Sequence, residues 1–160
     1  MPSLKIKKQK RKTVKSFLIL ITLVSTLLAS DIIIKQSECS VDSTIKNIEN
    51  IVRKKGLGVF AIINHKGNAE SVGMKLRESK EIIFGNPKIG TALMQQDMTV
   101  GLDLPIRILV YKDKDGSVKI AYRNGEWLRE HHIIDAPKKI EKINKALEKI
   151  TIKAGQCKRD

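Results

Sequence analysis

Two short segments, residues 84–91 and 101–105, concentrate glycine, proline, asparagine and aspartate between apolar runs. These residue types favour tight turns, helix starts and backbone conformations that other residues avoid. Their density indicates corners of a folded domain and not a solvated linker. A binding site formed by this chain is therefore expected beside these corners.

The first 30 residues form a leader. They contain seven basic residues, no acidic one, and an uncharged apolar segment at 17–29. This order predicts a secretory signal peptide or an amino-terminal membrane anchor within residues 1–34, since Ile33 and Ile34 extend the apolar run. In both cases the basic end stays in the cytoplasm, and the domain lies in the periplasm or on the outer face of the membrane. A buried core helix is a third, less favoured interpretation.

The formal net charge of +14 resembles that of a nucleic-acid binder, but seven of these charges come from the leader. The rest of the chain is moderately basic, and aromatic residues make up only 4% of the sequence. Platforms that stack bases need aromatic side chains. The composition therefore predicts a membrane partner through the leader and no nucleic-acid partner.

Two cysteines, Cys39 and Cys157, flank the domain. In an oxidising compartment they can join its beginning to its tail by a disulfide. Two separate thiols are the alternative interpretation.

Hydrophobic periodicity predicts one α+β domain over residues 35–160. It is expected to be a two-layer sandwich, with a mixed sheet of about four strands covered by helices. The edges of such a sheet favour a homodimer. Strands are predicted at 57–63, 80–84, 106–111 and 118–122, and helices at 41–54, 69–76, 88–95, 126–132 and 137–153, the last being amphipathic.

Several motifs in this order resemble the domain-of-unknown-function 302 family over residues 41–135. The resemblance implies a compact, dimeric, exported α/β domain without a known activity. The family commonly has an acidic residue where this chain has Asn64, and its later histidine matches His131 or His132. The motifs are Val-Phe-Ala-Ile-Ile-Asn-His at 59–65, Phe-Gly-Asn-Pro at 84–87 and Leu-Asp-Leu-Pro at 102–105.

The sequence predicts that a small ligand binds in a cleft near His65, Asn86 and Asp103. His65 follows a strand, where ligands of α/β folds gather, and Asn86 precedes a helix whose first amides can hold an anion. Structural roles for these residues, as caps or loop locks, are the alternative interpretation. The full set of predicted ligand-binding residues is Asn64, His65, Asn86, Asp103, His131 and His132.

Two other functions remain open. One is a metal- or histidine-dependent enzyme that uses His65, Asp103 and His131 or His132. The other is a structural or assembly module without a ligand. No metal-ligand spacing, catalytic elbow or phosphate loop is present in the sequence, so no metal site is predicted and the cofactor is unknown.

Overall fold

The structure is a computed structural model that describes residues 32–157. The predicted signal or anchor spans residues 1–34, and its residues 1–31 lie outside the described part of the chain. Within the described part of the chain, no helix is both long and apolar enough to cross a membrane.

A five-stranded sheet forms the centre of the domain, in the order β1-β5-β4-β3-β2. Every neighbouring pair is antiparallel, so the predicted mixed sheet of about four strands was wrong in strand number and direction. The missed strand begins in the segment assigned to the leader, because Ile33 and Ile34 continue the apolar run. The strands are β1 (Ile33–Ser37), β2 (Gly58–Asn64), β3 (Ser79–Gly85), β4 (Ile106–Lys112) and β5 (Val118–Tyr122).

Local capping signals start most helices where the sequence places them. The side chain of Ser40 accepts a hydrogen bond from Ser43 N, and the side chain of Asn86 accepts one from Lys88 N. Proline at the first helical position also favours this second start. The helices are α1 (Val41–Lys54), α2 (His65–Ser71), α3 (Pro87–Met94), α4 (Gly125–His131) and α5 (Pro137–Ala154), with a 3-10 helix at Met98–Leu102.

Helix α2 starts four residues earlier than predicted. The predicted start at residue 69 takes Asn68 as the cap, but the side chain of Asn64 caps the helix by accepting a hydrogen bond from Gly67 N. His65 is therefore the first residue of a helix.

Two apolar clusters hold the layers together. The larger one packs alternate residues of the sheet, such as Ile82, Ile108 and Ile120, against α1 and α5. The smaller one lies under α3, the 3-10 helix and α4, around Leu93 and Ile140. The larger cluster holds α1 and α5 on one face of the sheet, while the smaller one fixes the helices at its end.

A disulfide joins Cys39 to Cys157 across a sequence separation of 118, with 5.4 Å between their Cα atoms. The end of α5 is also held beside β1, because Glu38 N donates to Gly155 O at 2.8 Å. The first and last described segments are thus fixed to each other.

Strand direction decides which corners meet. In β2, Gly58 lies opposite Gly85 of β3, and Asn64 lies opposite Lys80. Phe84 in turn lies opposite Ile106 of β4. The corners after β3 and before β4 therefore share one end of the sheet, which we call the Asn86 end.

Candidate functional site

An apolar cavity of about 240 Å³ lies at the Asn86 end of the sheet, between α3, α5 and the starts of β2 and β4. Both turn-rich segments of the sequence contribute to its wall. Residues on the wall include Phe60, Asn86, Pro87, Leu93, Leu104 and Pro105.

The two corners that form the wall are set by backbone chemistry. Asn86 caps α3 with its side-chain oxygen, 2.9 Å from Lys88 N. The peptide bond between Leu104 and Pro105, which lies between the 3-10 helix and β4, is cis. These corners converge because β3 ends where β4 begins.

Lys142 brings a charge to this cavity. Among the described residues that line it, Lys142 alone is charged, while Asn86 and Thr91 are the other polar side chains. Lys142 forms no ion pair within 4 Å in the described part of the chain. Its ammonium group is therefore available to an anion at the wall of an apolar space.

A polar cluster occupies the same end of the molecule, next to the cavity wall. His132 Nε2 lies 2.8 Å from Asp103 Oδ2, and His132 Nδ1 lies 3.2 Å from Thr99 Oγ1. The side chain of His132 is only 8% exposed. The cluster joins the end of α4 to the 3-10 helix, and this places Leu104 and Pro105 in the cavity wall.

Asp97 is the second carboxylate of this cluster. Its Oδ1 accepts hydrogen bonds from Thr99 Oγ1 at 2.6 Å and Thr99 N at 2.9 Å, and its Oδ2 accepts one from Ile133 N at 2.9 Å. The hydrogen bond from the Thr99 hydroxyl, followed by that from Ile133 N, holds the pKa of Asp97 below its usual range. Hydrogen bonds to a charged carboxylate stabilise that charged form.

The two adjacent histidines have different surroundings. His131 stacks on Trp127 with ring centres 4.2 Å apart, and its Nδ1 lies 2.8 Å from Trp127 O. His132 contacts Asp103 instead. Of the two, only His132 therefore belongs to the carboxylate cluster.

The six residues predicted to bind ligand do not form one group in the structure. Asn64 is the last residue of β2 and His65 follows it, at the end of the sheet opposite Asn86. Seven strand residues at ~3.3 Å each separate the two ends by about 20 Å. Asn86 lies on the cavity wall, while Asp103 and His132 form the polar cluster behind it.

No group of three His, Cys, Asp or Glu side chains suited to a metal ion occurs within residues 32–157. The enzyme hypothesis needs His65 beside Asp103, and strand β2 keeps them apart. The Asp103–His132 pair remains as a hydrogen-bonded link between loops.

These features occur within a region that matches a known family. Residues 33–150 match "Domain of unknown function DUF302". The chain belongs to the DUF302 family. This confirms the resemblance inferred from the motifs. All three motifs contribute to the wall of the apolar cavity, through Phe60, residues 84–87, and Leu104 with Pro105.

Curated relatives extend the comparison. The chain is 36% identical over 109 residues to "Fluoride-specific ion channel FluC 1" of Brucella suis biovar 1 (strain 1330), covering 68% of this chain and 43% of that protein. It has the same identity and length of match to "Fluoride-specific ion channel FluC 2" of Brucella melitensis biotype 1 (strain ATCC 23456 / CCUG 17765 / NCTC 10094 / 16M), of which it covers 40%. The matched part therefore spans less than half the length of these relatives.

A solved structure shares the fold. It is "Crystal structure of uncharacterized conserved protein DUF302 from Bacillus stearothermophilus", with a TM-score of 0.63 and 20% sequence identity. The match covers 79% of this chain and 97% of that one. At this identity the likeness shows the fold alone.

Sequence reasoning missed Lys142, Asp97 and Thr99. Lys142 was one lysine among several on the polar face of α5, and nothing in that pattern distinguishes it. Asp97 and Thr99 had a usable signal, because an aspartate two residues before a threonine is typical of a capped turn.

Proposed function

We propose that this DUF302 domain binds a small, mostly apolar molecule with one acidic group in the cavity at the Asn86 end of the sheet. The observation that supports it is the apolar wall built by the two turn-rich segments, with Lys142 as its charged member. Ligand sites are typically apolar clefts with a few polar groups that fix orientation.

The size of the cavity limits the ligand. At about 30 Å³ for each water-sized group, a cavity of 240 Å³ accommodates about eight such groups. A medium-chain carboxylic acid such as octanoate has this size. Burial of about seven methylene or methyl groups at ~0.8 kcal/mol each gives roughly 6 kcal/mol, which corresponds to a Kd on the order of 0.1 mM.

Calorimetric titration of the full chain with octanoate and, separately, with octanol tests this proposal. Ala146→Phe fills the cavity and is expected to weaken both ligands at least ~10-fold, because the apolar space is lost. Lys142→Gln is expected to weaken octanoate several-fold and to leave octanol unchanged. The matched controls are Ile152→Phe and Lys138→Gln, which lie on α5 outside the cavity.

Absence of octanoate and octanol binding at millimolar concentration, with the wild-type chain folded, would disprove the proposal. If Lys142→Gln and Lys138→Gln weaken octanoate binding equally, Lys142 does not recognise an acidic group and the proposed ligand needs none.

We also infer that the domain works outside the cytoplasm, next to a membrane. The basic and apolar leader supports this, and the disulfide is of the kind that persists in oxidising compartments. The relatives' printed names, which describe ion channels, favour a membrane-proximal place. Amino-terminal sequencing and cell fractionation of the chain in its host test this, and a cytosolic, fully reduced chain would contradict it.

A second copy of this chain is the partner that we propose for β2. This strand is at the edge of the sheet, has no charged residue, and exposes Phe60 by 56% and Ile62 by 42%. Uncharged edge strands pair readily with another strand. Antiparallel pairing centred on Ala61 places Phe60 of each copy across from Ile62 of the other.

The variant Ile62→Lys is expected to convert the dimer to a monomer, because a lysine on an edge strand opposes pairing. Ile34→Lys, at the opposite edge of the sheet, is the matched control and is expected to remain dimeric. Light scattering after gel filtration measures both, and a wild-type chain that is monomeric at ~0.1 mM would contradict the proposal.

A further inference from the structure

Two arginines lie side by side at the Asn86 end of the sheet. Ile108 of β4 pairs with Tyr122 of β5, so the next step of the same antiparallel register places Arg107 opposite Arg123. Directly opposed side chains on neighbouring strands have Cβ atoms about 5 Å apart, and like charges at this distance repel each other. The sheet thus holds two positive charges close together.

Both arginines line a pocket of about 250 Å³ that is separate from the apolar cavity. The pocket is on the sheet face that points away from α1 and α5, because strand residues alternate between faces. Leu109 and Ala121 contribute apolar surface to it, and Trp127 and Leu128 of α4 complete its wall. The pocket therefore combines two positively charged guanidinium groups with an apolar floor.

Arg123 is held in place by its neighbours. Its guanidinium group lies 4.3 Å from the centre of the Trp127 ring, and its Nη1 lies 3.8 Å from Asp103 Oδ1. The other oxygen of Asp103 contacts His132. A stacked guanidinium keeps the N–H groups of its edge in a rigid fork that matches a carboxylate.

Arg107 is exposed and forms no ion pair within 4 Å among residues 32–157. Glu81 also lines the pocket; it lies on β3, two residues from Ile83, which is opposite Arg107. Asp103 lines the pocket as well, so its lining holds two arginines and two carboxylates. Because Asp103 is already paired with Arg123, Arg107 is the cation left for a ligand with a single negative charge.

We propose that this pocket is a second binding site, specific for a small organic monocarboxylate. Arg107 and Arg123 hold the carboxylate group, and the apolar part of the ligand lies on Leu109 and Ala121. Bidentate contacts between arginine and carboxylate provide geometry as well as attraction. This site does not depend on the ligand proposed for the apolar cavity.

The chain has one tryptophan, and it is in this pocket. Trp127 is not part of the wall of the apolar cavity, so its fluorescence reports on the second site. The probes are cyclohexanecarboxylate, inorganic phosphate and, as a control for ionic strength, sodium chloride. Each is added to the folded full-length chain with excitation at the red edge of tryptophan absorption.

Cyclohexanecarboxylate is expected to change the fluorescence with saturation, and chloride is not. In Arg107→Gln the apparent Kd is expected to rise at least tenfold, while in Glu81→Gln it is expected to fall several-fold, because a repulsive charge is removed. Arg53→Gln, an exposed arginine on α1 paired with Glu49, is the matched control and is expected to leave the Kd unchanged. Circular dichroism shows whether each variant is folded.

Three results would overturn the proposal. One is a fluorescence response to carboxylate that equals the response to chloride. Another is an unchanged Kd in folded Arg107→Gln. The third is tighter binding of inorganic phosphate than of the carboxylate, which would assign the pocket to phosphate instead.

Discussion

Reduction of the disulfide between Cys39 and Cys157 is expected to lower the free energy of unfolding by about 5 kcal/mol in the chain-entropy model. The bond closes a loop across a sequence separation of 118, which greatly restricts the unfolded chain. Domains are typically stable by only ~5–15 kcal/mol. The reduced chain is therefore expected to approach its unfolding transition without denaturant.

Hydrogen bonds and close packing beside the disulfide are expected to preserve the fold of the reduced chain under stabilising conditions. The side-chain amide of Asn47 donates to Ala154 O at 3.1 Å, and Glu38 N donates to Gly155 O at 2.8 Å. A Cβ at Gly155 would lie 3.3 Å from Gln36 O, so the chain segments are close there. These contacts position the two ends but do not restrict the unfolded state.

Urea unfolding of the oxidised and the reduced chain measures this effect. The double variant Cys39→Ser/Cys157→Ser is the control that removes the bond without a reductant, and mass spectrometry verifies the bond in the oxidised sample. Equal urea midpoints and equal slopes for the oxidised and reduced chains would show that the bond contributes nothing to stability.

Leu93→Ala is expected to lower the free energy of unfolding by about 2–5 kcal/mol. Leu93 is 0% exposed and packs in the smaller apolar cluster against Val100, Leu128 and Ile140. Removal of its branched end leaves a void that the surrounding helices fill only in part. Leu102→Ala is the matched control, because Leu102 is 77% exposed, and its effect is expected within ~0.5 kcal/mol.

The same substitution gives a second readout, since Leu93 also lines the apolar cavity. The truncated side chain enlarges that space. The ratio of decanoate affinity to octanoate affinity is therefore expected to be higher in Leu93→Ala than in the wild-type chain. Urea unfolding and calorimetry measure the two effects separately. A loss of stability no greater than that of Leu102→Ala would mean that the smaller cluster is not a closely packed core.

Local chemistry was sufficient to predict most elements. Ser40 before an apolar helical repeat, and Asn86 followed by Pro87, started α1 and α3 where the sequence indicated. The strand predictions also agree with β2 to β5 within two residues. These signals act over a few residues, so they can be read without knowledge of the fold.

The missed elements depend on distant partners. Ile33 and Ile34 continue the apolar leader in sequence, but they form β1 because they pair with Tyr122 and Ala121 of β5. Both Asn64 and Asn68 are suitable caps for α2, and the turn after β2 selects Asn64. Local secondary-structure propensity cannot distinguish such alternatives, because contacts between distant segments select one of them.

The sequence by itself determined the residues that build the corners, because proline, glycine and a capping asparagine restrict the backbone wherever they occur. Tertiary structure alone decided which corners meet. Antiparallel pairing of β2, β3 and β4 brings Asn86 beside Leu104 and Pro105, and it carries His65 to the far end of the sheet. Strand direction is set by hydrogen bonds between segments distant in the chain, and no local pattern of residues encodes it.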